Sequence, residues 1–183
     1  MKAYLKPVLF LLPVIIAIAF FYGVYQDQKP APARQSKLEA TKTLGLERAV
    51  DWKGKEILLE EPDQVVVVHF WASWCGPCVH EFPELIEMTK RHSGKVLVLA
   101  ISEDKEIEEV EVFVKSFPQA LETPHFQILW DHDRAYMKRW SVEKLPESFI
   151  YTPDRQLAKR ISGAASWINE DAESYFKQLT DKK

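Results

Sequence analysis

From Val65 to Cys78 the chain reads VVVVHFWASWCGPC, a continuous apolar run that leads directly into a pair of cysteines. Val65–Trp71 is apolar at nearly every position, a pattern typical of a strand that is covered on both faces. The segment after the cysteines, Val79–His92, is predicted to be a helix. A strand that delivers a Cys-x-x-Cys pair to a helix start is the usual arrangement of a dithiol–disulfide exchange site.

The positions of the two cysteines predict different roles for them. A thiol in the first turn of a helix faces unpaired backbone N–H groups and the positive end of the helix dipole, and both favour the thiolate. The thiolate is the nucleophile in disulfide exchange, so Cys75 is the predicted attacking group. Cys78, one turn further on, is the predicted resolving thiol, which attacks the mixed disulfide and releases the partner.

Three other uses of the cysteine pair agree less well with the sequence. A structural zinc site takes four ligands, and the chain has no second cysteine pair and no closely spaced pair of histidines. A static disulfide that closes so short a loop adds little stability, and two inert buried thiols have no need of Gly76-Pro77 between them. We therefore expect no metal and no organic cofactor, with the Cys75–Cys78 disulfide as the redox-active group. The histidines are scattered: His69, His80, His92, His125 and His132.

The remaining pattern predicts an α/β domain built on a mixed sheet with helices on both faces. The runs Val65–Trp71 and Lys95–Ser102 flank one helix, which predicts a parallel pair with a right-handed crossover. Glu147–Thr152 and Gln156–Ser162 are joined by a short turn, which predicts an antiparallel hairpin. Further strands are predicted at Glu56–Glu60 and Phe126–Trp130, and further helices at Lys105–Phe117, Asp133–Trp140 and Trp167–Leu179.

The N-terminal segment is predicted to cross a membrane. Pro7–Gln26 carries no charged residue, and a helix of that length spans roughly 30 Å, the thickness of the hydrocarbon region of a bilayer. Lys2 and Lys6 precede it, which favours a cytoplasmic N-terminus. The run is longer than the apolar core of a signal peptide, and its only small-residue cleavage candidate is Ala31-Pro32-Ala33, so we favour an uncleaved anchor over a cleaved signal.

The chain therefore divides into a cytoplasmic N-terminus (1–6), a transmembrane anchor (7–26), a linker (27–40) and one globular domain (41–183). Its 183 residues, 46% of them hydrophobic, suffice for one ordinary core. The net charge is −3, and the charges are mixed along the helices, so nucleic-acid binding is not expected. The acidic run Glu103–Glu111 is predicted to be a solvated helix face, with a docking patch for a basic partner as the alternative.

Two segments, Phe70–Cys78 followed by Glu81-Phe82-Pro83, and Leu145–Ile150 (LPESFI), carry a family resemblance. They resemble the membrane-anchored thioredoxin-like thiol–disulfide oxidoreductases of the ResA/TlpA/CcmG (DsbE) type, which act outside the bacterial cytoplasmic membrane. The likeness covers about residues 44–180. It implies a thioredoxin-like fold, α/β with a mixed central sheet, preceded here by the N-terminal transmembrane helix.

The resemblance also implies how a substrate is held. Pro146 corresponds to the family's cis-proline, which lies against the sulfurs, although an ordinary proline at a strand start is the alternative. Leu145 then exposes its main chain for strand-to-strand pairing with a substrate segment. The expected substrate-binding residues are Trp74, Gly76, Pro77, Leu145, Pro146 and Glu147.

Two acidic residues have both a functional and an ordinary interpretation. Glu81 matches the acidic residue that the ResA type keeps beside its dithiol, where a carboxylate raises thiol pKa values and passes protons during exchange. The alternative is a plain surface charge on a helix. Glu147 is similar to the Pro-Glu pair of the cytochrome c maturation members, with a solvent-facing side chain as the equally weighted alternative.

Three positions depart from the family pattern. His69 stands where thioredoxin has a buried Asp and many anchored relatives have Asn. An imidazole there either titrates near neutral pH or is a hydrogen-bonded core residue, which is the favoured interpretation. Lys144 replaces the usual glycine two residues before the proline, and the turn at 154–156 lacks its usual glycine.

The expected function is that of a single-pass protein of the bacterial cytoplasmic (inner) membrane whose catalytic domain faces the periplasm. It would reduce disulfides in partner proteins, with apocytochrome c as the leading substrate and a membrane electron-donor protein as its reductant. Gly-Pro between the cysteines is also found in thioredoxin, whose potential of about −270 mV is reducing. The alternatives are an oxidant that forms disulfides and a non-enzymatic binding module that is switched by redox state.

Overall fold

A five-stranded mixed sheet, a two-stranded hairpin and five helices make up the part of the chain that the computed structural model describes, residues 44, 46, 48–59 and 63–181. In chain order the elements are β1 Arg48–Val50, β2 Glu56–Leu58, β3 Val65–Trp71, α1 Gly76–Arg91, β4 Val96–Ser102, α2 Ile107–Ser116, α3 Gln119–Glu122, β5 Phe126–Trp130, α4 Ala135–Trp140, β6 Glu147–Tyr151, β7 Leu157–Ser162 and α5 Glu170–Thr180. The strand order of the large sheet is β5-β4-β3-β6-β7. The predicted mixed sheet is confirmed.

Strand β3 lies at the centre of the sheet and has the predicted bounds. It runs parallel to β4 and antiparallel to β6, so the predicted parallel pair is confirmed. All seven of its residues are buried, because alternate side chains enter two different hydrophobic clusters. Val65, Val67 and Trp71 belong to one cluster, whereas Val66, Val68 and Phe70 belong to the other.

Helices cover both faces of the sheet, as predicted. The first cluster contains side chains of α1, α2 and α5, among them Phe82, Phe113 and Phe176. The second cluster contains Trp140 of α4, together with Ala49 of the β1–β2 hairpin. This division places α1, which carries the cysteine pair, against the central strand that leads into it.

Helix α1 begins at Gly76, three residues before the predicted start at Val79. Cys75 is its N-cap, with extended backbone angles, and Pro77 lies in the first turn. Glycine and proline usually indicate a turn, but proline fits the first turn of a helix because its missing N–H has no helical acceptor there. Gly76 and Pro77 therefore start the helix, and Cys78 lies inside it.

Helix α5 begins three residues later than predicted. The expected start was Trp167, but Asn169 is the N-cap, and its side chain accepts a hydrogen bond of 2.8 Å from the backbone N–H of Ala172. Trp167 is nevertheless buried at 2% exposure, in the loop before the helix. The sequence analysis did not predict the short strand β1 or the one-turn helix α3.

The turn between β6 and β7 contains Arg155 with a φ of 65°, the left-handed region that the usual glycine adopts without strain. Its backbone carbonyl accepts a hydrogen bond of 3.0 Å from the N–H of Leu44. Its guanidinium donates one of 3.1 Å to the carbonyl of Leu59. This turn thereby holds the segment that precedes β3, and the Leu44 side chain is buried in the second cluster.

The predicted anchor and linker, residues 7–40, lie outside the described residues. Within the described ranges, no helix combines the length and the apolar character that crossing a bilayer requires.

Candidate active site

Cys75 and Cys78 are joined by a disulfide at the N-terminus of α1. Both are buried, but Cys75 retains 7% exposure and Cys78 none, in line with the expected outer and inner positions. The backbone N–H of Cys78 donates a hydrogen bond of 3.4 Å to the Sγ atom of Cys75. The first turn of α1 contains no acidic residue. The helix N-terminus therefore stabilises negative charge on the sulfur of Cys75.

Three exposed residues surround the disulfide. Trp74 precedes Cys75 and is 64% exposed, and Gly76 and Pro77 are also exposed. A groove of about 560 Å³ opens beside Gly76 and Pro77 and reaches Glu81 on the next turn of α1. A protein segment that approaches the disulfide thus meets an indole, a residue without a side chain and a proline ring.

The loop that carries Cys75 is held in place by the buried carboxylate of Asp104, for which the sequence predicted a solvent-exposed position. Asp104, predicted to lie on a solvated face, is 1% exposed. It accepts hydrogen bonds from the backbone N–H and the hydroxyl of Ser73, at 3.0 and 2.8 Å, and from the hydroxyl of Ser102, at 2.8 Å. Ser73 lies two residues before Cys75, so Asp104 fixes the loop to the end of β4.

Glu103 is also buried, which again contradicts the predicted solvated face. Its side chain pairs with Arg134 at 3.0 Å. Burial first, and then the nearby Asp131, raise the pKa of Glu103 to about 8, against the opposing effect of Arg134. The prediction of a solvated face holds only for later residues of the acidic run, such as Glu106 and Glu108, which are exposed.

Pro146 lies beside the end of β3, as the expected substrate site requires. The Leu145–Pro146 peptide bond is cis, which confirms that prediction. Pro146 directly precedes β6, whose Glu147 pairs with Phe70 of β3. The carbonyl of Pro146 accepts a hydrogen bond of 2.9 Å from the N–H of Gly163, and Leu145 is half-buried.

Glu147 is buried, so the solvent-facing alternative is wrong. Its carboxylate accepts a hydrogen bond of 2.7 Å from Nε of Arg160 on β7. Arg160 also donates to the carbonyl of Ser141, at 3.2 Å. Glu147 thus links β6 and β7 next to the cis-proline.

Glu81 is buried at 5% exposure, so it is not a plain surface charge. One oxygen, Oε2, accepts hydrogen bonds from the backbone N–H of Ala165, at 2.9 Å, and from Nε1 of Trp167, at 3.3 Å. Burial raises the pKa of Glu81, these two hydrogen bonds lower it, and the charge of Glu84 raises it. The net upward direction favours a carboxyl that exchanges protons closer to neutral pH.

His69 is a core residue, and titration near neutral pH is the wrong interpretation. It is fully buried, and burial lowers its pKa to about 3. Its Nδ1 atom lies 2.9 Å from the hydroxyl of Ser148, its partner across the β3–β6 pair. Its Nε2 atom lies 3.4 Å from Oε1 of Glu81.

Sequence reasoning did not identify Ser148, Asp104, Ala165 or Trp167 as parts of the site. Ser148 is two residues after the cis-proline, so the antiparallel register alone brings it to His69. Within the described residues, no group of three or more His, Cys, Asp or Glu side chains is arranged to hold a metal ion.

The chain is similar to proteins that are named thiol–disulfide oxidoreductases. ResA of Bacillus cereus is 27% identical over 169 residues, which cover 91% of this chain and 92% of the relative. Two solved structures share the fold. A DsbE-type thiol:disulfide interchange protein of Chlorobium tepidum has a TM-score of 0.60 at 22% identity, covering 73% of this chain and 92% of that one. StoA of Bacillus subtilis has a TM-score of 0.54 at 24% identity, covering 75% and 92%.

A redox disulfide between Cys75 and Cys78 at a helix start, on a mixed sheet with a neighbouring cis-proline, defines a thioredoxin-like thiol–disulfide oxidoreductase. Its redox-active group is this cysteine pair. A family model matches residues 28–160, and the chain belongs to the AhpC/TSA family.

Proposed function

We propose that this oxidoreductase works in the reducing direction on disulfides of other proteins. The observation that carries the exchange chemistry is the position of the sulfurs, with Cys75 capping the helix and Cys78 covered behind it. The reducing direction is supported by Gly76-Pro77 between the cysteines, which thioredoxin also has. In the dithiol form, the Cys75 thiolate attacks a substrate disulfide, forms a mixed disulfide and expels one substrate thiolate. Cys78 then loses its proton and attacks the Cys75 sulfur, which expels the second substrate thiolate.

The cycle transfers two electrons to the substrate, whose two thiolates are protonated by the proton that Cys78 released and by one proton from solvent. At the end of the cycle Cys75 and Cys78 are joined by a disulfide, and a membrane electron-donor protein must reduce this bond again. Glu81 lies three residues after Cys78 and reaches the groove beside the cysteine pair. We assign to it the acceptance of the Cys78 proton, because its raised pKa brings it closer to the working pH.

The substrate segment is expected to contact the exposed residues Trp74, Gly76 and Pro77 on one side. On the other side it pairs with the main chain of Leu145, next to Pro146. Glu147 has a different role from the one expected, because its side chain is buried against Arg160. We propose that it fixes the strands that carry the substrate-binding segment.

The proposed location is the periplasmic side of the bacterial cytoplasmic membrane, with Pro7–Gln26 as a single-pass anchor. What supports it is the uncharged apolar run behind two lysines. In an oxidising compartment a reducing dithiol needs a continuous supply of electrons, which agrees with a donor in the same membrane.

Apocytochrome c is the proposed substrate, because its Cys-x-x-Cys-His segment must be reduced before haem is attached. Deletion of the gene should therefore lower the amount of cytochrome c that carries covalent haem, and the wild-type chain should restore it. Unchanged haem loading would exclude this substrate, while the disulfide chemistry would stand.

A Cys78→Ser variant tests the mechanism directly. It should accumulate mixed disulfides with partner proteins through Cys75, and these should be visible on non-reducing gels and released by dithiothreitol. Cys75→Ser is the matched control and should trap nothing. Partners held without a covalent bond would instead favour a redox-switched binding module. A measured potential well above that of thioredoxin would favour an oxidant.

A further inference from the structure

Three buried polar side chains contact one another in a row that runs from β6 through β3 to α1. Ser148 Oγ lies 2.9 Å from Nδ1 of His69, and Nε2 of His69 lies 3.4 Å from Oε1 of Glu81. The exposed fractions of the three residues are 2%, 0% and 5%. The row begins in the core and ends at the groove beside the disulfide, because Glu81 lines that groove.

The two facing atoms in the middle of this row have no other assigned partner. Within the described residues, neither Nε2 of His69 nor Oε1 of Glu81 has another hydrogen-bond partner, whereas Oε2 of Glu81 accepts two hydrogen bonds. An unpaired buried polar atom costs about 1–3 kcal/mol. His69 Nε2 and Glu81 Oε1 therefore satisfy each other only if one proton lies between them.

We infer that His69 changes tautomer whenever Glu81 gains or loses its proton, so that this contact is satisfied in both states. When Glu81 is ionised, His69 carries its proton on Nε2 and donates to Oε1, while the Ser148 hydroxyl donates to Nδ1. When Glu81 is protonated, its O–H donates to Nε2. The imidazole then carries its proton on Nδ1 and donates to the Ser148 oxygen.

The two states differ by one proton, which is taken up by the Glu81 carboxyl. The imidazole keeps one proton and stays neutral throughout, as the effect of burial on its pKa also requires. A buried carboxyl beside a fixed donor or a fixed acceptor would lose a hydrogen bond in one of its two states. His69 removes that penalty because its ring can present either a donor or an acceptor at Nε2.

His69 is thus a positioning residue that acts on the dithiol through Glu81. Its importance for the resolving step rests on the proposed role of Glu81 as proton acceptor for Cys78. Among the described residues, the titratable groups that line the groove with Glu81 are Glu84, whose charge raises the Glu81 pKa, and His80, and both lie on α1. The loop that packs against Glu81 contributes Ala165 and Trp167, which carry no charge.

The test is a pH titration of the full chain, labelled with 15N in histidine and 13C in the glutamate carboxyl groups, in detergent micelles. The His69 ring nitrogens are assigned by through-bond correlation to its own backbone. As the pH rises, the protonated nitrogen should change from Nδ1 to Nε2, with the same midpoint as the Glu81 carboxyl signal. A proton that stays on one nitrogen, or a ring that is protonated on both, would overturn the inference.

Two matched variants on α1 sharpen the result. Glu81→Gln should leave His69 in one tautomer at every pH. Glu84→Gln should keep the exchange but lower its midpoint, because the Glu84 charge raises the Glu81 pKa. A pH-dependent tautomer in Glu81→Gln would contradict the inference. The titration uses no disulfide substrate, so a failed Cys78→Ser trap would reject the proposed function without affecting this result.

Discussion

Glu81, Glu84 and Glu87 lie at three-residue intervals on α1, yet their side chains meet different surroundings. Glu87 forms a half-exposed ion pair with Arg91 at 3.0 Å. Glu84 accepts hydrogen bonds from the Ser166 hydroxyl and the Trp167 N–H. Glu81 is buried, and this burial raises its pKa. The helix periodicity places these residues, but packing against the loop before α5 gives each a separate chemistry.

The role of Glu81 can be tested with Glu81→Gln. We expect the rate of reduction of a peptide disulfide near pH 7 to fall on the order of 10²-fold, because the resolving thiol loses its proton acceptor. Alkylation of Cys75 in the reduced protein should be retained. The measurement is a pH–rate profile of each variant, with Glu87→Gln as the control. A Glu81→Gln profile that superimposes on the profile of Glu87→Gln would reject the role of Glu81.

Glu103 predicts a pH dependence of stability. Its folded pKa of about 8 is above the ordinary 4.5, so the folded state keeps a proton that the unfolded state releases. The free energy of unfolding should therefore fall as the pH rises from about 4.5 to about 8, by on the order of 1–3 kcal/mol.

Urea denaturation at pH 5 and pH 8.5 measures this change. Glu103→Gln cannot titrate, so its free energy of unfolding should lack this part of the decline, while exposed Glu122→Gln should follow the wild type. His69 contributes with the opposite sign: its lowered pKa removes stability as the pH falls below about 6.5. Because His69 is present in all three proteins, the difference between them isolates Glu103. An equal decline in Glu103→Gln would contradict the assignment.

At the level of elements, the functional unit is β3, the loop that follows it and the first turn of α1. The loop is tied sideways to the end of β4 by Asp104, and its cysteines are delivered to a helix N-terminus. The neighbouring β6 brings Pro146 and Ser148 to the same end of the sheet through its antiparallel register. Three separate stretches of sequence therefore meet at one strand end.

Asp104→Ala should loosen this loop. The substitution leaves the Ser73 N–H, the half-buried Ser73 hydroxyl and the buried Ser102 hydroxyl without their acceptor, which costs on the order of 2–4 kcal/mol in the free energy of unfolding. Alkylation of reduced Cys75 should also become less sensitive to mild denaturant, because the loop is already mobile. Exposed Lys105→Ala is the control for urea denaturation and alkylation alike, and a loss below about 0.5 kcal/mol would contradict the assigned role.

The elements that the sequence predicts well are those whose pattern is set by burial on both faces. The bounds of β3 and β5 agree with the prediction, because an apolar run has clear ends. The start of α5 was misplaced because Trp167 and Ile168 continue the apolar periodicity of the helix, although Asn169 caps it. The start of α1 was misplaced because Gly76-Pro77 resembles a turn.

The candidate site was predicted in its chemistry but only partly in its connections. The cysteine pair and the cis-proline have local sequence signals, and both were found. The burial of Asp104 and Glu103 has no local signal, since an acidic run usually faces water; their burial depends on where β4 ends. The contact between His69 and Glu81 joins a strand to a helix, so only the assembled core reveals it.

In the molecule as a whole, the two edges of the sheet have different surroundings. The β5 edge is covered by the β1–β2 hairpin, through the bridge between Asp51 and Leu129 and a hydrogen bond of 3.1 Å from the Trp52 N–H to the Ile128 carbonyl. On the other edge, most β7 residues are exposed. The site lies between these edges, at the end of the central strand.

The proposed topology can be tested because the chain has two cysteines, both in the site. In intact cells with a permeabilised outer membrane, after a brief reduction that releases Cys75 from its mixed disulfides, the Cys78→Ser variant should react through Cys75 with a membrane-impermeant thiol reagent. The same variant without residues 1–28 should stay in the cytoplasm and react only after lysis. Labelling of the full chain only after lysis would reject a periplasmic domain.

The hydrogen bond from Leu44 to Arg155 joins the start of the described domain to the turn between β6 and β7. Within the described residues, a load applied at Leu44 passes through its hydrogen bonds to Arg155 and Arg139 into the tip of the β6–β7 hairpin and into α4. That tip lies at the opposite end of β6 from Pro146, roughly 20 Å away at 3.3 Å per residue. Load that enters at Leu44 is therefore received at the end of the sheet that is remote from the two sulfurs.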